Sequence, residues 1–169
     1  MRTPYGAFFT MMKKPKDIMP TLTGSKLRSY AYAVLTKREY SKAELIEKLC
    51  LYAIDRNEVI ELVEQLAEYN YQSDERVAEM VVRSQIRKGK GPQRIRQTLQ
   101  QKSINLDYVA DELNQTNWLE EAYKLKIKKF GVEATKDPKL KAKQVRFLQY
   151  RGFDLDIIMK VVNLEELEW

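Results

Sequence analysis

Two glycines, a Gly-Pro step and a scatter of Lys and Arg lie within SQIRKGKGPQRIRQTLQQKSI, residues Ser84 to Ile104. Glycine-rich backbone beside basic side chains can cradle a phosphate for transfer chemistry. It can also end one helix and open a second, basic one that grips an anion. A nucleotide-binding loop of the first kind needs a preceding strand, a longer glycine spacing and a Lys followed by Ser or Thr. Here the spacing is Gly89-Lys90-Gly91-Pro92, Gln93 and Arg94 follow, and the flanks read helical. That pattern excludes the nucleotide-binding loop. Gly89 is expected to end a helix in the left-handed conformation and Pro92 to open the next. Lys90, Arg94 and the amides of that helix start could then face an anion together. The competing reading is a solvated corner whose charges serve solubility.

Other catalytic equipment is sparse. The chain has no histidine, which removes the commonest general base and metal ligand. Cys50 falls inside the apolar rhythm of its helix and reads as a packed residue rather than a nucleophile. The many carboxylates of the first third are spaced so that they spread over exposed helix faces, and no pair stands out for hydrolysis or metal binding. Tyr30, Tyr32, Tyr69 and Tyr71 read as half-buried packing with a hydroxyl outlet. No enzyme, cofactor or metal is expected.

The elements that must position the basic stretch are helices. At 169 residues, with 44% hydrophobic and 32% charged residues and only six glycines and five prolines, the chain suits long regular elements with short connections. No segment approaches a membrane span, and a single cysteine fits a reducing compartment, so a soluble, cytoplasmic protein is expected. Leu45, Leu49 and Tyr52, and again Val59, Val63 and Leu66, recur at helical intervals. Ser41-Lys42-Ala43-Glu44 is a capping box. Asp137-Pro138 places a cap before a proline at the first helical position. No run alternates for long enough to suggest a sheet.

The chain also matches itself. A shift of about 50 residues puts Leu45, Leu49, Ile54, Val59 and Val63 onto Ile95, Leu99, Ile104, Val109 and Leu113. A second, similar shift puts the last four onto Leu148, Phe153, Ile158 and Val162. The capping-type residue after the middle hydrophobe recurs as Asp55, Asn105 and Asp154. In the third copy Gln144 interrupts the first position, with Val145 beside it to take over. Another helical segment precedes each matched pair, at Leu27–Lys37, Asp74–Lys88 and Trp118–Phe130. The fold class expected is therefore all-α: three tandem three-helix repeats forming an elongated, curved right-handed or solenoid-like array. Residues 25–72, 73–116 and 117–169 are the three units, preceded by an N-terminal extension over residues 1–24 that is disordered or part of a different start.

The net charge of +6 is unevenly placed. Residues 39–75 are rich in Asp and Glu. From Met80 to Leu106 there is no acid, and the third unit is again rich in Lys. An acidic front joined to a basic rear implies two unlike contact surfaces, the basic one suited to phosphates or an acidic protein face.

IRKGKGPQRIRQTLQQKSI resembles the middle repeat of the RecX family, bacterial regulators of the recombinase RecA. The family pattern is Lys/Arg-Gly-x-Gly-Pro-x-Arg-Ile-x-x-x-Leu and a turn ending in Gly-Ile. Here it is carried by Lys88, Gly89, Gly91, Pro92, Arg94, Ile95 and Leu99, with Ser103-Ile104 at the Gly-Ile position. REYSKAELIEKL, Arg38 to Leu49, is similar to the first repeat. RFLQYRGFDLDII, Arg146 to Ile158, is similar to the third. The resemblance covers residues 27–163. It departs at NYQSDERVAEMVV, where the family has Gly-Tyr-Leu-Asp-Asp, and residues 1–24, with MMKKPKD, match nothing in the pattern.

The resemblance implies tandem three-helix repeats and a non-catalytic protein that binds in the groove of the RecA–DNA filament. Its members restrain recombinase, ATPase and coprotease activities in DNA repair and the SOS response. The partners implied are that filament and, more weakly or through RecA, single- and double-stranded DNA; monomer is the expected state. Charge selects the candidate contacts: Arg83, Arg87, Lys88, Lys90, Arg94 and Arg96 in the second repeat. In the third they are Lys124, Lys128, Lys139, Lys143 and Arg146. Gly89, Gly91, Pro92 and Gly152 are assigned to turns. Two alternatives remain open: a free-standing helix-turn-helix-like DNA-binding module, and a helical scaffold for an acidic protein.

Overall fold

The computed structural model describes residues 19–164. Most of the N-terminal extension, including MMKKPKD, and the last five residues lie outside the described residues. The described residues form nine α-helices, as the apolar spacing predicts: α1 (Gly24–Lys37), α2 (Lys42–Cys50), α3 (Arg56–Glu68), α4 (Asp74–Arg87), α5 (Pro92–Gln101), α6 (Ala110–Gln115), α7 (Trp118–Phe130), α8 (Pro138–Arg151) and α9 (Leu155–Asn163). A 3-10 turn, Leu106–Val109, leads into α6. Their order is that of three-helix units in tandem. By contacts the chain divides into two compact bodies, one running through Ala78 and including Gln100–Asn105, the other holding Glu79–Leu99 and everything from Leu106 onward.

The helix starts are written locally. Ser41 Oγ accepts from the Glu44 amide while the Glu44 carboxylate accepts from the Ser41 amide, completing the capping box. Asp55 caps α3 by accepting from Asn57 N, and Asp137 caps α8 ahead of Pro138. Asp154 stands at the same point before α9 without a capping bond to that helix. Its carboxylate instead accepts from the Gln93 side chain at 2.8 Å.

The hydrophobes that the self-comparison aligned are the core. Leu45, Leu49, Val59 and Val63 are buried in the first body, and Leu148, Ile158 and Val162 in the second. Ile95, Leu99, Val109 and Leu113 are equally buried. Ile54 is the exception: it is 64% exposed, whereas its counterparts Ile104 and Phe153 are buried. The chain ahead of α1 runs beside residues 52–54, with Leu22 N donating to Tyr52 O and Ile54 N to Leu22 O. That pairing buries Ala53 and turns Ile54 outward. In the third copy Gln144 itself fills the core position, 1% exposed, while Val145 is half-buried; the Gln144 side-chain oxygen Oε1 has no hydrogen-bond partner among the described residues. The tyrosine expectation holds for Tyr30 and Tyr32. Tyr69 and Tyr71 are exposed, Tyr71 setting its ring edge-on to Tyr32.

Two departures from the family pattern have a common backbone meaning. Asn70 and Ser103 stand where the pattern has glycine, and both adopt positive φ, +58° and +54°. Asn tolerates this region better than Ser, which has no glycine-like freedom there. Gln72, at the pattern's Leu position, is buried and donates to Tyr40 O and Asp74 Oδ1. The same Asp74 oxygen accepts from the Lys42 amide, tying the start of α2 to that of α4 within the first body. Ser103→Gly is expected to raise stability by about 1 kcal/mol by removing left-handed strain. Urea unfolding checks it; an unchanged or lower midpoint at equal slope contradicts it.

Candidate interaction surface

Charge is handled differently in the two bodies. In the first, acids and bases neutralise one another: Arg56 with Glu47 at 3.0 Å, Lys102 with Glu44 at 3.0 Å, Lys42 with Glu64 at 3.0 Å and Arg76 with Glu39 at 2.8 Å. Glu44 and Glu47 are buried, so the expectation that these carboxylates spread over exposed faces fails for both. Helical spacing places them toward neighbouring elements, and each is retained by a cation that compensates its burial. Cys50 is half-buried against the same core with Arg56 Nη1 at 3.5 Å from its sulfur, and burial raises the thiol's pKa, keeping it protonated and unreactive. No group of three or more His, Cys, Asp or Glu among the described residues is placed to hold a metal ion.

In the second body the cations stand largely unpaired. Arg83 and Arg87 are exposed on α4, one turn apart, with Lys88 exposed just beyond. Lys124 and Lys128 are exposed on α7, again one turn apart; Lys124 is paired with Glu120 at 2.6 Å and Glu121 at 3.5 Å. Lys139, Lys143 and Arg146 are exposed on α8 at spacings of four and three, which puts them on one helix face. Lys90 and Arg96 are half-buried on either side of the start of α5.

Arg94 is half-buried and largely committed to the fold. Its Nε donates to Tyr150 O at 2.9 Å, and its guanidinium lies 4.7 Å from the Tyr150 ring centroid. The expected anion site at the start of α5 is spent internally as well. Gly91 N donates to Arg151 O at 2.7 Å and Gln93 N to Gly152 O at 3.0 Å. Gly89 does end α4 at φ +73°, and Gly152 ends α8 at φ +95°. Gly91 is different: it has no positive φ, and its hydrogen is needed because a Cβ there would stand 2.5 Å from the Gly152 carbonyl carbon and oxygen. The two glycine motifs quoted from the second and third repeats thus dock backbone to backbone.

Four candidates converge. Arg87, Lys88, Lys124 and Lys128 line one cleft of about 540 Å³ inside the second body. Arg83, the three α8 cations and the α5 group lie outside its lining. Two more cations, Lys129 and Arg151, complete it. They count among the third unit's cations but are not among the contact candidates, although the one-turn spacing of Phe147 and Arg151 puts a cation beside an aromatic ring. Lys126 behaves oppositely. It is fully buried, its ammonium donates to Val132 O and Glu133 O at 2.9 Å, and burial lowers its pKa. Trp118 seals the join between α6 and α7, its indole N–H donating to Leu113 O while its ring meets Phe153 edge-on.

Two family models match the chain: "RecX, second three-helix domain" over residues 73–113 and "RecX, third three-helix domain" over residues 116–162. A relative from Acinetobacter baylyi, Regulatory protein RecX, is 60% identical over 147 residues, spanning 87% of this chain and 92% of that protein. The chain belongs to the RecX family. Regulatory protein RecX of Legionella pneumophila is 40% identical over 133 residues, 78% of this chain and 89% of that one. The crystal structure of RecX from Lactobacillus salivarius superposes with a TM-score of 0.66 at 23% identity, covering 82% of this chain and 93% of that chain. That structure confirms the all-helical RecX fold. No helix among the described residues is long and apolar enough to cross a membrane.

Proposed function

We propose that this RecX-family chain is a non-catalytic regulator that binds the RecA–DNA filament and mainly inhibits its recombinase, ATPase and coprotease activities. The setting is DNA repair and the SOS response in the cytoplasm, and the chain acts as a monomer. Its three-helix units occupy residues 25–72, 73–116 and 117–169. The observation that supports this reading most is the contrast between a first body in which acids and bases pair closely and a second whose exposed cations, Lys124 apart, have no acidic partner among the described residues. Cations held apart from acids on helix faces suit phosphates, and each contact releases counterions from the nucleic acid. The cleft beside them suits a protein. A filament offers both surfaces at once.

Binding to preformed recombinase filaments and to bare single-stranded DNA, followed by sedimentation as salt is raised, tests the reading. The filament should retain the chain at salt concentrations that strip it from bare DNA, because protein contacts are less screened than phosphate contacts. Equal retention on bare DNA would replace filament regulation with the free-standing DNA-binding module.

A further inference from the structure

The cleft in the second body carries more than a phosphate grip requires. Its lining is apolar at Ile86, at the end of α4, and Leu125 of α7, with Phe147 of α8 beside them under two cations. Gly89 lies close against Leu125: a Cβ there would stand 3.0 Å from a Leu125 methyl. Around these residues are Arg87, Lys88, Lys124, Lys128, Lys129 and Arg151, with Glu121 the one acid in the lining. Lys124 already has Glu120 and Glu121. Arg87, Lys88 and Lys128 are exposed and pair with no acid among the described residues. Gathered cations repel one another, and open apolar side chains stay wet; an occupant with negative charge around an apolar side chain relieves both.

A nucleic acid fits this lining poorly. Binding of single strands relies on aromatic faces for base stacking, and the Phe147 ring is taken. The Arg151 guanidinium lies 5.3 Å and the Lys129 ammonium 5.8 Å from its centroid, while Phe130 meets it edge-on at 5.4 Å. Arg151 is held in place by its bond to Lys88 O at 3.1 Å. A base would have to displace these cations, whereas a carboxylate would use them.

We propose that this cleft binds a short acidic peptide segment of a partner protein. One apolar side chain of the segment lies on Ile86 and Leu125, and its flanking carboxylates meet Arg87, Lys88 and Lys128. The inference rests on the reading of this body as a protein-contact surface and names the chemistry of the contact. The volume of about 540 Å³ accommodates a few side chains, the size of an anchored motif rather than a folded domain.

The test uses the full chain, without recombinase, and fluorescence anisotropy of three labelled probes. These are a short Glu-rich peptide with one central Phe, the same peptide with Ala in place of Phe, and an oligo-dT of matched charge. The Phe peptide should bind at least about tenfold tighter than the Ala peptide, reflecting burial of the ring. Lys88→Glu combined with Lys128→Glu should weaken it at least about tenfold, with helix content unchanged because both side chains are exposed. No binding of the Phe peptide, or equal binding of the Phe and Ala peptides, overturns the proposal. So does oligo-dT that binds more tightly than the peptide and is lost in the same variant, which would make the cleft a nucleic-acid site. Because recombinase is absent, failure here leaves filament regulation intact, and failure of filament regulation leaves a positive peptide result intact.

Discussion

Gly91→Ala is expected to destabilise the second body by about 3 kcal/mol or more, although the residue has no positive φ. The added methyl would stand 2.5 Å from the carbonyl carbon and oxygen of Gly152 and 2.6 Å from Phe153 N. All three are backbone atoms that cannot rotate aside. Relief requires separating α5 from the α8–α9 corner, and that separation stretches the Gly91 N to Arg151 O and Gln93 N to Gly152 O bonds. It also lifts Arg94 from Tyr150. Gly131→Ala is the internal control. That glycine has φ +87° and ψ 178°, a backbone region essentially reserved for glycine, but open space around it, so its substitution brings strain of about 1–3 kcal/mol and no collision. Thermal and urea unfolding of both variants decide the matter. Gly91→Ala no more destabilised than Gly131→Ala would mean that the two motifs do not dock as closely as described.

The second large effect is functional. Converting Lys139, Lys143 and Arg146 together to Glu is expected to raise the concentration needed for half-inhibition of RecA's DNA-dependent ATPase by at least about tenfold. The three lie on one exposed face of α8, outside the cleft and without acidic partners among the described residues. Their reversal turns attraction for phosphates into repulsion while removing no packing. Circular dichroism should be unchanged, and the salt dependence of filament binding should become shallower by about one per lost phosphate contact. The choice of residues follows from the structure. Arg94 was a candidate on charge, yet it braces Tyr150 and packs against Gly152, so reversing it would confound contact with folding. Full inhibition by the triple variant would show that this face does not meet the filament.

Much of the fold was legible in the chain because helices announce themselves locally. The Ser41–Glu44 capping box, the Asp55 and Asp137 caps and the shifted hydrophobes at Leu45, Ile95 and their partners each stand where the structure has them. What the sequence hid was tertiary. Ile54 is exposed because a segment far from it in sequence pairs with Ala53. Glu44 and Glu47 are buried because Lys102 and Arg56 come to them. Gln144 occupies a core position that a hydrophobicity pattern assigns elsewhere. Of the surface, composition revealed its sign but not its sorting. It could not separate Arg94, a brace, from Lys88, which is exposed, or show that Lys129 and Arg151 join Lys124 and Lys128 around Ile86 and Leu125. Those distinctions depend on which helix lies opposite, and periodicity carries no record of that.

The central claim, regulation of a recombinase filament, is tested most directly by titrating the folded chain into its cognate RecA while following single-stranded-DNA-dependent ATP hydrolysis. Inhibition beginning below one chain per recombinase subunit is the expected result, since a chain that occupies a filament affects more than one subunit. A flat response up to stoichiometric ratios, with the chain shown to be folded, would contradict filament regulation.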